Sequence, residues 1–154
     1  MKQKVLVVDD EQLVADTLRL IFQRRGYDCQ VAYSGKNAIT CAETFFPDLL
    51  LCDLTMPEMD GVEVAVSIAD KFPGCRVLLL TGHYINLKSM QHRIRALKVP
   101  YRVMMKPLPP EELLQHAHAL LQITPQTFTS DFPSVPHGAM YDVEKYLHPQ
   151  IMKR

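Results

Sequence analysis

Five short apolar runs, most of them too continuous for an exposed helix face, limit what this chain can fold into. They are KVLVV (4–8), CQVAY (29–33), DLLLCDL (48–54), CRVLLLTG (75–82) and YRVMM (101–105). A continuous apolar strand is buried on both faces, as in a parallel sheet covered by helices above and below. The intervening stretches carry helical spacing. From Glu11 to Arg25 the apolar positions are Leu13, Val14, Leu18, Ile21 and Phe22, and Gly26 supplies the stop. Further helices are expected over about 36–45, 61–71, 84–97 and 109–122, the last with Glu111 and Glu112 at the positive end of its dipole. Five strands alternating with five helices imply right-handed crossovers and an α/β, doubly wound, five-stranded parallel sheet.

Composition narrows the function classes. The 154 residues suit one domain of ordinary size, and 47% apolar residues provide a real core. Seventeen basic residues balance seventeen acidic ones, which gives no sign of a nucleic-acid binder. Locally the balance fails. No carboxylate lies between Asp70 and Glu111, while eight Lys and Arg residues do. Cys29, Cys41, Cys52 and Cys75 sit singly in apolar stretches without a CxxC spacing, so they read as buried thiols in a reducing compartment. The N-terminus meets acid within ten residues and does not resemble a signal or transit peptide. No run approaches the ~20 apolar residues of a membrane span. A cytoplasmic protein without membrane partners is expected.

From Ile123 the composition changes. ITPQTFTSDFPSVPHG has three prolines and one charge, so a domain over 1–122 is expected to be followed by an irregular arm over 123–154. Within that arm AMYDVEKYLH (139–148) can form a short helix with Met140, Val143 and Leu147 on one side. It is too short for a DNA-binding domain with its own core.

In an open parallel sheet the working residues lie at the carboxyl ends of the strands. Here the first strand ends on Asp9 and Asp10, the third on Asp53, the fourth on Thr81 and the fifth on Lys106. Crowded carboxylates raise one another's pKa unless a cation joins them, and their hard oxygens favour Mg2+. A lysine opposite adds fixed positive charge. The set suits phosphoryl transfer, in which a carboxylate can itself act as the acceptor. Each residue also has an ordinary reading: Asp10 as a helix cap, Asp60-Gly61 as a turn, Thr81 as a strand residue, Lys106 as a strand end before Pro107. Their coincidence at four strand ends is what favours chemistry.

These residues resemble a response-regulator receiver domain of two-component signalling, of the single-domain chemotaxis type. The match is carried by Asp9-Asp10 after VLVV, the D-x-x-M-P-x-x-D-G run from Asp53 to Gly61, Thr81-Gly82 after VLLL, and Lys106-Pro107, across about residues 3–122. The resemblance implies a flavodoxin-like strand order 2-1-3-4-5. It implies Asp53 as phosphoacceptor and Mg2+ held by Asp10, Asp53 and the Thr55 backbone carbonyl, with Asp9 acting mostly through water. Lys106 would pair with phosphoryl oxygens, Thr81 would bond the attached phosphoryl group, and the Lys106-Pro107 bond would be cis.

One departure concerns the switch. The family usually places an aromatic three positions before its lysine; here that position is Val103, and the nearest aromatic, Tyr101, faces the same way two residues earlier. Two neighbours of the acceptor, Thr55 and His83, occupy positions that tune acyl-phosphate lifetime in the family. His83 is expected either to shape water access or to be a solvent-facing loop residue. The resemblance implies a histidine kinase or histidine phosphotransfer protein as donor, and protein–protein output. A homodimer through the helix 4, strand 5 and helix 5 face, or through the arm, fits the same reading. Lys88, His92, Arg93, Arg95 and Lys98 could give that face an affinity for acidic partners, or form a plain solvated face. Nucleic acid is not expected, because the run lacks interleaved aromatics. A regulatory receiver module of a larger sensor kinase or enzyme is the alternative. A true phosphatase of similar topology would usually show D-x-D where this chain has DLT at 53–55.

Overall fold

All five apolar runs form strands, and the stretches between them form helices. The computed structural model describes residues 1–82 and 84–123, and for 84–88 the backbone alone. The elements run β1 (Lys4–Val8), α1 (Gln12–Arg24), β2 (Asp28–Ala32), α2 (Gly35–Phe45), β3 (Leu49–Asp53), α3 (Gly61–Lys71), β4 (Arg76–Thr81), α4 (Tyr84–Arg95), β5 (Tyr101–Met105) and α5 (Pro110–Leu121). His83 and the arm beyond Ile123, including the helix expected at 139–148, lie outside the described residues.

The strands make one parallel sheet in the order β2-β1-β3-β4-β5. Every residue of the central β3 is buried, which explains why LLLC can be apolar without alternation. One sheet face, with Leu6, Leu50, Leu79 and Val103, packs against α2, α3 and Ile94 of α4. The other face, with Val7, Leu51, Leu78 and Met104, packs against Phe22 of α1 and Leu113 and Leu120 of α5. Leu50 and Leu79 are wholly buried; truncating such a residue to Ala costs about 2–5 kcal/mol.

Local chemistry sets the element ends. Gly26, at φ 89°, stops α1 as its sequence position suggests. Ser34 caps α2 by accepting from Asn37 N at 3.2 Å. The helix expected to reach residue 97 ends at Arg95, where Ala96 N and Leu97 N turn back onto the carbonyls of Arg93 and Ile94. At the far end of the sheet, Arg76 donates from Nε to the Ile123 carbonyl at 3.0 Å and from Nη1 to Gly74 O at 3.1 Å, which ties the end of α5 to the start of β4. Among the described residues no helix is long and apolar enough to cross a membrane. The four cysteines are free, and burial pushes the Cys29 and Cys75 thiols up to about 12.

Candidate functional site

Parallel strands bring all their carboxyl ends to one edge. Asp9 follows β1, Asp53 closes β3, Thr81 closes β4 and Lys106 follows β5. Asp9 is almost fully buried and is held from three sides. Its N–H donates to Ala32 O at 3.2 Å, its Oδ1 accepts from Glu11 N at 2.9 Å, and its Oδ2 accepts from Lys106 Nζ at 3.2 Å. Asp53 Oδ1 accepts a long bond from Thr55 N at 3.4 Å, and Asp53 Oδ2 lies 3.5 Å from Lys106 Nζ. Asp10 and Thr55 are exposed. The site therefore has a buried floor of Asp9 and Asp53, a half-buried Lys106 beside them, and an open rim of Asp10 and Thr55.

Carboxylate oxygens of Asp9, Asp10 and Asp53 all lie within 4.8 Å of one another. Three carboxylates facing one lysine leave excess negative charge. Hard oxygen donors at this spacing, partly buried and open on one side, fit a small divalent cation that keeps some of its waters. The capping alternative for Asp10 fails. The cap position of α1 is Glu11, whose side chain makes no cap bond, and the Glu11 N–H goes to Asp9.

Burial pushes the Asp53 carboxyl above its ordinary value; Lys106 opposes that shift, and Asp9 adds to it. For Lys106 burial acts the other way, but the Asp53 and Asp9 carboxylates outweigh it and raise the ammonium pKa. The lysine thus stays a fixed cation, and the Asp53 oxygens are more basic than an exposed aspartate's. Thr81 is fully buried, and its carbonyl accepts from Lys106 N at 2.8 Å, which places the lysine beside the β4 end. The Lys106-Pro107 bond is cis.

The turn after β3 is closely fitted. Leu54 N donates to Leu80 O at 2.8 Å, and Gly61 N donates to Leu54 O at 2.9 Å. A Cβ on Gly61 would lie 2.2 Å from the Asp53 carbonyl oxygen, so only glycine fits. Asp60, which the sequence presents as an ordinary turn residue, does two further things. It caps α3 by accepting from Glu63 N at 3.0 Å, and it receives both arms of the Arg93 guanidinium, at 2.8 and 3.1 Å. Asp-x-x-Glu ahead of an apolar run is a readable capping signature. The Arg93 partner, 33 residues away, has no local signature.

The position at which the resemblance leads one to expect a switch aromatic holds a packed valine. Val103 pairs with Leu79 and Tyr101 with Val77, whereas Thr81 stands opposite Met105. Tyr101 and Val103 share one face of β5 and are both buried. Four residues of strand separate the Tyr101 level from Thr81, roughly 13 Å at the usual rise. Of the basic stretch, His92, Arg93, Arg95 and Lys98 are exposed, and Arg93 is engaged with Asp60; the Lys88 side chain lies outside the described residues.

The profile of the response regulator receiver domain matches residues 5–118. The chain belongs to the response regulator receiver family. The alkaline phosphatase synthesis transcriptional regulatory protein PhoP of Bacillus subtilis is 38% identical over 82 residues, covering 53% of this chain and 34% of that protein. Response regulator MprA of Mycobacterium bovis is 32% identical over 125 residues, 80% of this chain and 53% of that protein. This receiver thus spans about half the length, or less, of these curated relatives. Among solved structures, chemotaxis protein CheY4 of Vibrio cholerae superposes with a TM-score of 0.71 at 24% identity, covering 78% of this chain and 99% of that one. The N-terminal domain of a response regulator/sensory box/GGDEF 3-domain protein from Carboxydothermus hydrogenoformans gives 0.68 at 29% identity, with 78% and 94% covered. Receiver domains are modules of two-component signalling, generally bind Mg2+ at an acidic pocket and act with histidine kinases and output domains; this chain has a cluster of Asp9, Asp10 and Asp53 at the carboxyl edge of its sheet.

Proposed function

We propose that this receiver accepts a phosphoryl group on Asp53 from a phosphohistidine of a histidine kinase or phosphotransfer protein. The observation that supports this most directly is Asp53 itself, a carboxylate at the β3 end, 3.5 Å from a lysine ammonium and within 4.8 Å of two further carboxylates. An Asp53 carboxylate oxygen attacks phosphorus as the donor's P–N bond breaks. The electron pair leaves with the imidazole, which is then protonated, and an acyl phosphate remains. Mg2+, when bound, neutralises charge on the transferring oxygens; Asp10, Asp53 and the Thr55 carbonyl would hold it, with Asp9 acting through water. Lys106 pairs with a phosphoryl oxygen as it moves off Asp53 Oδ2. Thr81 supplies a hydroxyl to the attached group. His83, two residues after Thr81 in the sequence, is proposed to set water access and so the lifetime of the acyl phosphate.

The output is proposed to be a change in protein–protein binding rather than catalysis, within the cytoplasm. The exposed His92, Arg95 and Lys98 favour an acidic partner or a second copy on the α4, β5 and α5 side. A second reading, a receiver module within a larger signalling protein, is favoured by the greater length of the curated relatives. Phosphoramidate, whose P–N bond resembles that of phosphohistidine, tests the chemistry. The receiver with Mg2+ should acquire label that hydroxylamine releases, the behaviour of an acyl phosphate. Hydroxylamine-resistant label would point to a hydroxyl acceptor instead.

A further inference from the structure

Of the α4 side chains described, from residue 89 onward, only Ile94 is buried, with Met90 and Gln91 partly so. Between α4 and α3 the packing is open: a groove of about 560 Å3 runs there, lined by Val62 and Val66 on one side and His92 and Ala96 on the other. Across it reaches one strong polar tie. Both Nη atoms of Arg93 grip both carboxylate oxygens of Asp60, at 2.8 and 3.1 Å, and Glu63 Oε1 lies 3.8 Å from the same guanidinium. A two-pronged guanidinium–carboxylate pair fixes orientation as well as distance.

Asp60 is also the last residue of the turn that carries the acceptor. Its side chain caps α3, and the next residue, Gly61, rests its α-carbon against the Asp53 carbonyl and donates to Leu54 O. The path from acceptor to α4 is therefore short: Asp53 main chain, Gly61, Asp60, Arg93. Each step is a hydrogen bond, a covalent link or a contact that no extra atom can enter.

We propose that Arg93 is a positioning residue that latches α4 to the Asp53 turn through Asp60, so that the turn and α4 move as one body. α4 carries His92 and Arg95 on its exposed surface and joins β4, which ends at Thr81, so the latch controls how far that surface shifts. The trigger for a shift rests on the proposed phosphorylation of Asp53. The latch itself exists without it.

The test is hydrogen exchange of the full chain, read by mass spectrometry over 84–97, in wild type, Arg93→Gln, Asp60→Asn, the double variant, and Lys71→Gln as a control. Lys71 is the last residue of α3, at the opposite end from Asp60, and pairs with Glu43 of α2. Asn at position 60 retains a helix cap while removing the charge. The proposal expects α4 amides to exchange about two- to tenfold faster in Arg93→Gln and Asp60→Asn, with β1 and β3 amides unchanged. The double variant should be no faster than either single, the mark of one shared interaction. Unchanged α4 exchange in Arg93→Gln, equal loosening in Lys71→Gln, or additive effects in the double variant would each overturn the latch. Treating each sample with phosphoramidate and Mg2+ separates the two readings. Wild type and Arg93→Gln should gain the phosphoryl group alike, but only wild type should show a change in α4 exchange on gaining it. If neither gains it, the phosphoacceptor reading fails while the exchange of the untreated samples still decides the latch. If Arg93→Gln keeps the full phosphorylation response in α4, the latch proposal is wrong.

Discussion

Gly61 packs its α-carbon so closely on Asp53 that a Cβ would fall 2.2 Å from the aspartate's carbonyl oxygen and 2.8 Å from Leu54 Cα. Both obstacles are backbone, so neither can rotate away. Gly61→Ala should displace the turn and cost about 2–4 kcal/mol, while Gly74→Ala, where a Cβ meets open space, should be nearly neutral. Urea unfolding of the two variants checks this; equal stabilities would show that the turn yields.

Asp53 is expected to be stabilising to lose. Burial raises its carboxyl pKa in the folded state despite Lys106. A group raised on folding contributes stability that is present below the unfolded carboxylate pKa and lost as pH rises through the folded one. At neutral pH the ionised Asp53 therefore weakens the fold. Asp53→Asn should gain about 0.5–2 kcal/mol at pH 7, and the gain should shrink as pH falls toward 4. Paired denaturant titrations across that range measure it. A less stable Asp53→Asn at pH 7 would contradict the charge balance described.

Lys106 holds two carboxylates at once, at 3.2 Å from Asp9 and 3.5 Å from Asp53. Lys106→Met leaves both without their cation, at a cost of about 1–3 kcal/mol. Mg2+ should restore part of that loss, because a second cation occupies the same field. Melting curves with Mg2+ and with EDTA test the compensation; an equal Mg2+ effect in wild type and variant would count against it.

Mg2+ should also stabilise the wild-type receiver. A ligand that binds only the folded state adds about 2.7 kcal/mol at a hundred times its Kd. Asp10 is exposed and is not the cap residue of α1, so Asp10→Asn should not destabilise the apo form, since it removes one of three crowded carboxylates, and should abolish most of the Mg2+ shift. A full shift in Asp10→Asn would remove Asp10 from the ligand set.

Much of this architecture is legible in the sequence because buried parallel strands need continuous apolar runs. KVLVV and LLLC are the plainest cases, and their ends point directly at Asp9 and Asp53. The side of the sheet is legible too: the two-residue period places Tyr101 and Val103 on one face. Level along the strand is another matter. Tyr101 stands opposite Val77, well away from Thr81, a relation that depends on inter-strand register rather than on side-chain alternation. The cap made by Asp60 was readable from Glu63 three residues later. Its pairing with Arg93 was not, because no local pattern records how α4 lies across α3. The backbone fit at Gly61 is likewise invisible without the turn that closes on it.

The most direct measurement is the intact mass of wild type and Asp53→Asn after incubation with acetyl phosphate or phosphoramidate, with and without Mg2+. One phosphoryl group on wild type, dependent on Mg2+ and absent from Asp53→Asn, is the predicted result. No gain by wild type in the presence of Mg2+, or an equal gain by Asp53→Asn, would contradict the assignment of Asp53 as the phosphoacceptor.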